Sequence, residues 1–184
     1  MPPSLDVDPS IIIEFWQKAG PDKWFVSDPE FDQEIKSLFS HLPDQVLAGK
    51  YDKWAERASE CLALILVLDQ FPRNIFRGSP KAFAFDGTAK EVATKIIDQG
   101  FDQSYQLPLK RFLYLPFMHS EKLEDQRYCI KLCEKASDPD GVNFGQIHLD
   151  VIEKFNRFPH RNEVLGRQST PEEIKFLQEG GFQA

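Results

Sequence analysis

The stretch FNRFPHRNEVLGRQST, residues 155–170, holds Arg157, His160, Arg161 and Arg167 beside two phenylalanines and a proline. Guanidinium groups bind carboxylate or phosphate bidentately, and Asn162 offers both a donor and an acceptor, so these residue types suit a preorganised anion site. Part of the pattern is also good helix termination, because cations are favoured near a helix C-terminus. An echo stands earlier in the chain. LDQFPRN at 68–74 and NRFPHRN at 156–162 both end a helix with Phe-Pro and then present Arg and Asn. Either the likeness is chance or two helix ends face one site.

The first of these segments contains Asp69, at the end of the most apolar run of the chain, where a helix dipole disfavours an anion and water is scarce. It needs a cation, and Arg73, Arg157 and Arg161 are the candidates. A packing ion pair and a ligand-facing role both remain open. In LPLKRFLYLPFMHSEK, Arg111 and Tyr114 share a helix face, Pro116 breaks the helix, and His119 precedes a new helix that opens with Glu121. His119, Glu121, His148 and His160 are residue types that ligate metals, but no HExxH or CxxC signature is present, and no metal is expected. His119 reads as a corner residue or pocket liner. His148 falls at the edge of a buried helical face, as a core histidine or as a base tuned by burial.

Other chemistries find no support in the residues. GxGxxG, GxxxxGK[ST] and GxSxG are all absent, so neither a glycine phosphate loop nor a nucleophile elbow is expected, and no cofactor is implied. A net charge of −7 counts against general nucleic-acid binding, which needs a basic face. Cys61, Cys129 and Cys133 are odd in number and read as reduced thiols, the last two packing on one helix face. No basic segment with an apolar stretch opens the chain, and the longest apolar run, Cys61 to Leu68, is far shorter than the ~20 residues of a membrane span. A cytoplasmic protein without a membrane partner is expected.

The elements that position these residues are helices. Asp8-Pro9, Asp28-Pro29, Ser79-Pro80 and Thr170-Pro171 each place a capping side chain before a proline, and Glu173 completes a capping box with Thr170. Phe31, Ile35, Leu38, Phe39 and Leu42 form one stripe at helical spacing, and Phe144, Ile147, Val151, Phe155 and Phe158 form another. Residues 51–70 start amphipathic and become apolar all round, which predicts a central helix. Further helices are expected near 10–19, 87–99, 107–116, 121–136 and 171–178. No stretch alternates with period two, so the fold class is all-α, with one domain over 1–184 and a core rich in the sixteen phenylalanines.

The combination LILVLDQFPRNIFRG, RFLYLPFMHSE, NRFPHRN and LGRQSTPEE, with IIEFW and WFVSDPEFDQEI nearer the start, resembles the bacterial domain-of-unknown-function family nine hundred twenty-four over nearly the whole chain. The resemblance implies an all-helical fold similar to tetratricopeptide-like superhelices: antiparallel helix pairs in a right-handed array of about eight or nine helices around a concave face. It brings no established activity. The family's motif positions fall here on Asp69, Gln70, Arg73, Asn74, Arg77, Tyr114, His119, Glu121, His160, Arg161, Asn162 and Arg167. One departure is Asn156, where the family more often has Gly, and a side chain there narrows the space beside Arg157.

Two functional readings follow, beside a third in which every charged motif is an internal ion-pair network. In the first, Asp69, Arg73, Asn74, Arg111, Tyr114, Glu121, His148, Arg157, Arg161, Asn162 and Arg167 line or support a pocket for a small anionic molecule, and His119 or His160 transfers a proton. In the second, the helical array is a scaffold that binds a peptide or protein partner, such as an acidic peptide, in its groove.

Overall fold

In the computed structural model, which describes residues 7–182, the chain is helical throughout with no strand among those residues. The Asp-Pro and Thr-Pro signals act as expected. Asp8 caps α1 (Pro9–Ala19), Asp28 caps α3 (Pro29–Phe39) after the short α2 (Pro21–Trp24), and Thr170 caps α12 (Pro171–Gln178) in a complete capping box with Glu173. Between them run α4 (Leu42–Leu47), α5 (Cys61–Ile65), α6 (Phe71–Ile75), α7 (Asp86–Asp98), α8 (Leu109–Phe112), α9 (Leu115–Met118), α10 (Leu123–Lys135) and α11 (Pro139–Phe155). Asp138-Pro139 is a further Asp-Pro start. Asp138 accepts a hydrogen bond from the Gly141 N–H and opens α11 at Pro139.

The central helix differs from its sequence expectation at both ends. Residues 52–56 form a tight 3-10 turn instead of the first part of a long α-helix, because Tyr51 and Trp54 both turn inward and their rings meet at 4.4 Å. The α-helix starts only at Cys61 and then passes Pro72 to reach Ile75. The 107–116 helix is likewise divided into α8 and α9, with Pro116 in the first turn of α9, where its missing N–H costs nothing.

The core forms around Trp16, fully buried, whose ring lies 5.5–6.2 Å from those of Trp24, Phe31, Phe71 and Phe112. Edge and offset contacts of this kind add to the area buried by each ring. The π-bulged helix of 61–75 runs through this core with every residue from Cys61 to Phe71 buried. α10 and α11 pack closely because Gly141 and Gly145 leave room. A Cβ at 145 would stand 2.9 Å from Ile130 Cγ1, and one at 141 would stand 2.8 Å from Cys133 Sγ. The α11 stripe is rotated from its expected setting: His148, Val151 and Ile152 are buried, whereas Phe144 and Ile147 are exposed, as is Leu38 on α3. A second, smaller core of Val151, Ile152 and Phe158 gathers Leu123, Phe155, Phe176 and Phe182 beneath the end of α11. No helix of the described residues is long and apolar enough to cross a membrane.

Candidate functional site

Pro72 shapes the first part of the site. It has no N–H, and its ring would strike the carbonyl of Leu68 in a regular α-helix, so the helix widens into a π-turn over Leu66–Gln70 in which the Phe71 N–H reaches back to the Leu66 carbonyl. The wide turn carries Asp69, which is fully buried. Its Oδ1 lies 2.8 Å from His119 Nδ1, its Oδ2 accepts from Gln70 Nε2 at 2.6 Å, and Arg73 Nη2 is 3.6 Å away. With Asp69 ionised, Nδ1 of His119 is the donor in this bond. His119 itself is set at the corner after α9, its N–H bonded to the Leu115 carbonyl.

Arg73 bridges to the start of α7. It donates to Asp86 Oδ1 at 3.0 Å and to the Ala82 carbonyl at 3.2 Å. Arg161 reaches the same carboxylate from the opposite end of the sequence, with Nη1 3.6 Å from Asp86 Oδ2 and 3.0 Å from the His119 carbonyl. Both guanidiniums lie against the ring of Phe83, at 5.1 and 4.8 Å, and Arg161 also lies 4.5 Å from the centre of Phe158. The two echoing segments thus meet at one carboxylate. Nε of Arg161 is buried without a hydrogen-bond partner, as is Nδ1 of His160.

Burial and these partners set the electrostatics. Burial alone would push the Asp69 carboxyl up, but His119, Arg73 and Gln70 together hold it below its ordinary value. Asp86 is pushed up, chiefly by burial and then by the nearby Asp69, against the pull of Arg73, His119 and Arg161. Burial, with Arg73 beside it, lowers Arg161 to about 10. Burial lowers His160 to about 4, reinforced by Arg161 and Arg73, and lowers His148 to about 3, reinforced by His119. His148 donates its Nδ1–H to the Phe144 carbonyl, 2.8 Å away, and its ring centre lies 6.4 Å from that of His119.

The other candidate residues are held in pairs of their own. Glu121 accepts from both Nη1 and Nη2 of Arg167, at 2.7 and 3.0 Å, and from the Phe158 N–H. Arg157 grips Glu173 with two bonds of 2.6 and 2.8 Å, and Asn162 donates to Glu173 and to Ser169. Arg111 makes a bidentate pair with Asp138, Tyr114 donates to the buried Asp102, and Asn74 donates to Asp32, which Arg77 also holds. Asp86, the carboxylate on which the two arginines converge, escaped the sequence reading. An acid in the first turn of a helix is common for dipole reasons, so nothing in its position marked it as a partner.

Beside His119 the surface opens into a cavity of about 300 Å³, lined by Phe83, Asp86, Gly87, Pro116, Ser120, Arg161 and Leu165. Lys90 and Glu121 also line it. The family described as bacterial protein of unknown function, DUF924, matches the chain over residues 12–181. The chain belongs to the DUF924 family. It is similar to a protein of unknown function, ATU0120 from Agrobacterium tumefaciens, at 41% identity and a TM-score of 0.90, the match covering 94% of this chain and 97% of that one. No curated protein matches it. In this DUF924 member, Asn156 stands at the C-cap of α11 with φ of 56°, a left-handed setting that suits glycine and, among other residues, asparagine best. No group of three or more His, Cys, Asp or Glu side chains is placed to hold a metal among the described residues. The thiols of Cys61, Cys129 and Cys133 are free and buried.

Proposed function

We propose that this protein binds a small anionic molecule in the cavity beside His119 and that His119 exchanges a proton with it. The observation that carries the reading is the buried Asp69 carboxylate bonded to His119 Nδ1 at the mouth of a cavity that Arg161 also lines. A carboxylate so placed fixes the tautomer and orientation of an imidazole and steadies its charged form, which is the arrangement of a general acid–base. Arg161, which lines the cavity, is the group to hold an acid oxygen of the ligand. His160 packs its ring 5.6 Å from that of Phe158 and does not line the cavity.

Thermal unfolding against anionic metabolites, phosphates, acidic peptides and divalent metals tests the reading. A ligand at ~100 times its dissociation constant adds about 2.7 kcal/mol, which raises the midpoint by roughly 5 °C or more for a domain of this size. One small anion should give such a shift in the wild type and none in Arg161→Lys or His119→Asn. Equal shifts in the wild type and both variants would sink the proposal.

A second reading, a tetratricopeptide-like superhelix of antiparallel pairs that holds a peptide or protein partner, draws support from a groove along α10. Leu123, Tyr128, Arg127 and Lys131 offer it apolar and basic surface, with Glu124 beside them. A shift with acidic peptides alone, lost in Lys131→Glu, would favour this scaffold.

A further inference from the structure

Arg161 and Lys90 both line the cavity beside His119, and they are held very differently. Arg161 is fixed. Its side chain is 7% exposed and lies against the rings of Phe83 and Phe158, with Nη1 bonded to the His119 carbonyl and close to Asp86. Lys90 follows Asp86 by four residues on α7, so the two share a face of that helix, and its side chain is 24% exposed. Its ammonium makes one contact among the described residues, donating to Asp125 Oδ2 at 2.6 Å. An ammonium has three donors, so two remain.

Asp125 keeps other support when Lys90 leaves it. Its Oδ2 also accepts from Ser120 Oγ at 2.6 Å, and it stands in the first turn of α10, where the helix dipole favours an anion. Its side chain is 15% exposed, so water can replace the ammonium. The two carboxylates that line the cavity are tied more firmly. Asp86 is held between Arg73 and Arg161, and Glu121 accepts from both terminal nitrogens of Arg167 and from the Phe158 N–H. Opening either would strand a guanidinium, which is costly where water is scarce. Among the described residues, Lys90–Asp125 is the pair at the cavity that can part without leaving a charge alone.

We infer that Lys90 binds the acid group of the ligand by moving its ammonium from Asp125 to that group, while Asp125 stays on Ser120; this rests on the proposed ligand site. No covalent bond changes and no proton moves, because one ion pair is exchanged for another. The lysine stem has four carbons and the ammonium donors rotate, so the charge can follow a ligand that the fixed Arg161 cannot. Asp125 is then the resident counter-anion of the site. Any anion must outcompete it, and the cation at the cavity is never left unpaired.

Calorimetric titration with inorganic phosphate, and separately with acetate, tests the exchange in the wild type, Asp125→Asn, Lys90→Met and the double variant. Asparagine keeps an acceptor for Ser120 and methionine keeps helix propensity and an apolar stem, so melting midpoints should stay close to the wild type. With its competitor gone, Lys90 in Asp125→Asn should bind the preferred probe about fivefold more tightly, the factor that corresponds to about 1 kcal/mol for a partly exposed pair. Lys90→Met should weaken that probe tenfold or more, and the double variant should recover nothing. Preference for phosphate or for acetate gives the acid class of the ligand. Binding that Lys90→Met leaves unchanged, binding that Asp125→Asn fails to tighten, or no binding of either probe to Asp125→Asn overturns the inference. Asp125→Asn alone decides the matter if Lys90→Met does not fold. The ligand site itself is judged by Arg161→Lys: an anion lost in that variant but kept in Lys90→Met leaves the site standing and removes only the part given to Lys90.

Discussion

Acidifying the protein from pH 7 to pH 5 should cost it about 4 kcal/mol of stability, through two buried imidazoles. His148 is lowered from 6.5 to about 3 and His160 to about 4, burial being the main cause in each. A folded-state pKa below the unfolded one means that the unfolded chain binds more protons in the interval between them. Stability from these groups is therefore whole above about pH 6.5 and is lost as pH falls toward their folded values. At pH 5, roughly 1.5 units below the unfolded value, each histidine forfeits about 2 kcal/mol at 1.36 kcal/mol per unit. The carboxyls held low, Asp69, Glu121, Asp138 and Glu173, begin to matter only as pH falls further, and Asp86, pushed up, is relieved by acid and offsets part of the loss. Urea melts at pH 7, 6 and 5 supply the measurement, and thermal midpoints should drop by roughly 8–16 °C over the same range. His148→Gln and His160→Gln should each remove about 2 kcal/mol of the pH-dependent fall, the shared groups cancelling in the difference. A wild type equally stable at pH 7 and pH 5, or variants with its full pH response, would show that these imidazoles are not held neutral by burial.

Two further outcomes concern the C-terminal brace. Glu173, held down to about 2 chiefly by Arg157, is buried with bonds from Arg157, Asn162 and the Thr170 N–H, so Glu173→Ala should cost about 3 kcal/mol by urea melting. A loss under 1 kcal/mol would mean that the brace contributes little to folding. At the α11 C-cap, Asn156→Ala should cost about 1 kcal/mol because alanine resists a positive φ, whereas Asn156→Gly should be neutral or mildly stabilising. Equal midpoints for the two variants would contradict the left-handed cap.

Local rules made much of the helix pattern legible. A capping side chain before proline carries its own hydrogen bond and its own φ, so Asp8, Asp28 and Thr170 act within a few residues and need no tertiary help. The same rule holds at Asp138-Pro139, which starts α11 two residues before Gly141. That glycine serves close packing of α10 on α11, a cause invisible from one segment. Phe144 and Ile147 depart from expectation for a related reason: their spacing matches a buried face, but Gly141 and Gly145 draw the adjoining face of α11 toward α10. The central helix could not be bounded because its two ends answer to Tyr51 and Trp54 turning inward and to the π-turn at Pro72.

The sequence by itself determined the residue types of the site and the all-helical class, since caps, proline positions and helical spacing act over three or four residues. It also determined that Asp69, on the most apolar helix, must find a cation. The tertiary structure alone decided which one. Arg73 and His119 meet Asp69, while Arg161, 92 positions after Asp69, joins through Asp86, and Arg157 and Arg167 turn to Glu173 and Glu121. A buried charge demands a partner, but ion pairing does not depend on sequence separation, so the choice among four arginines and four carboxylates falls to how the helices pack.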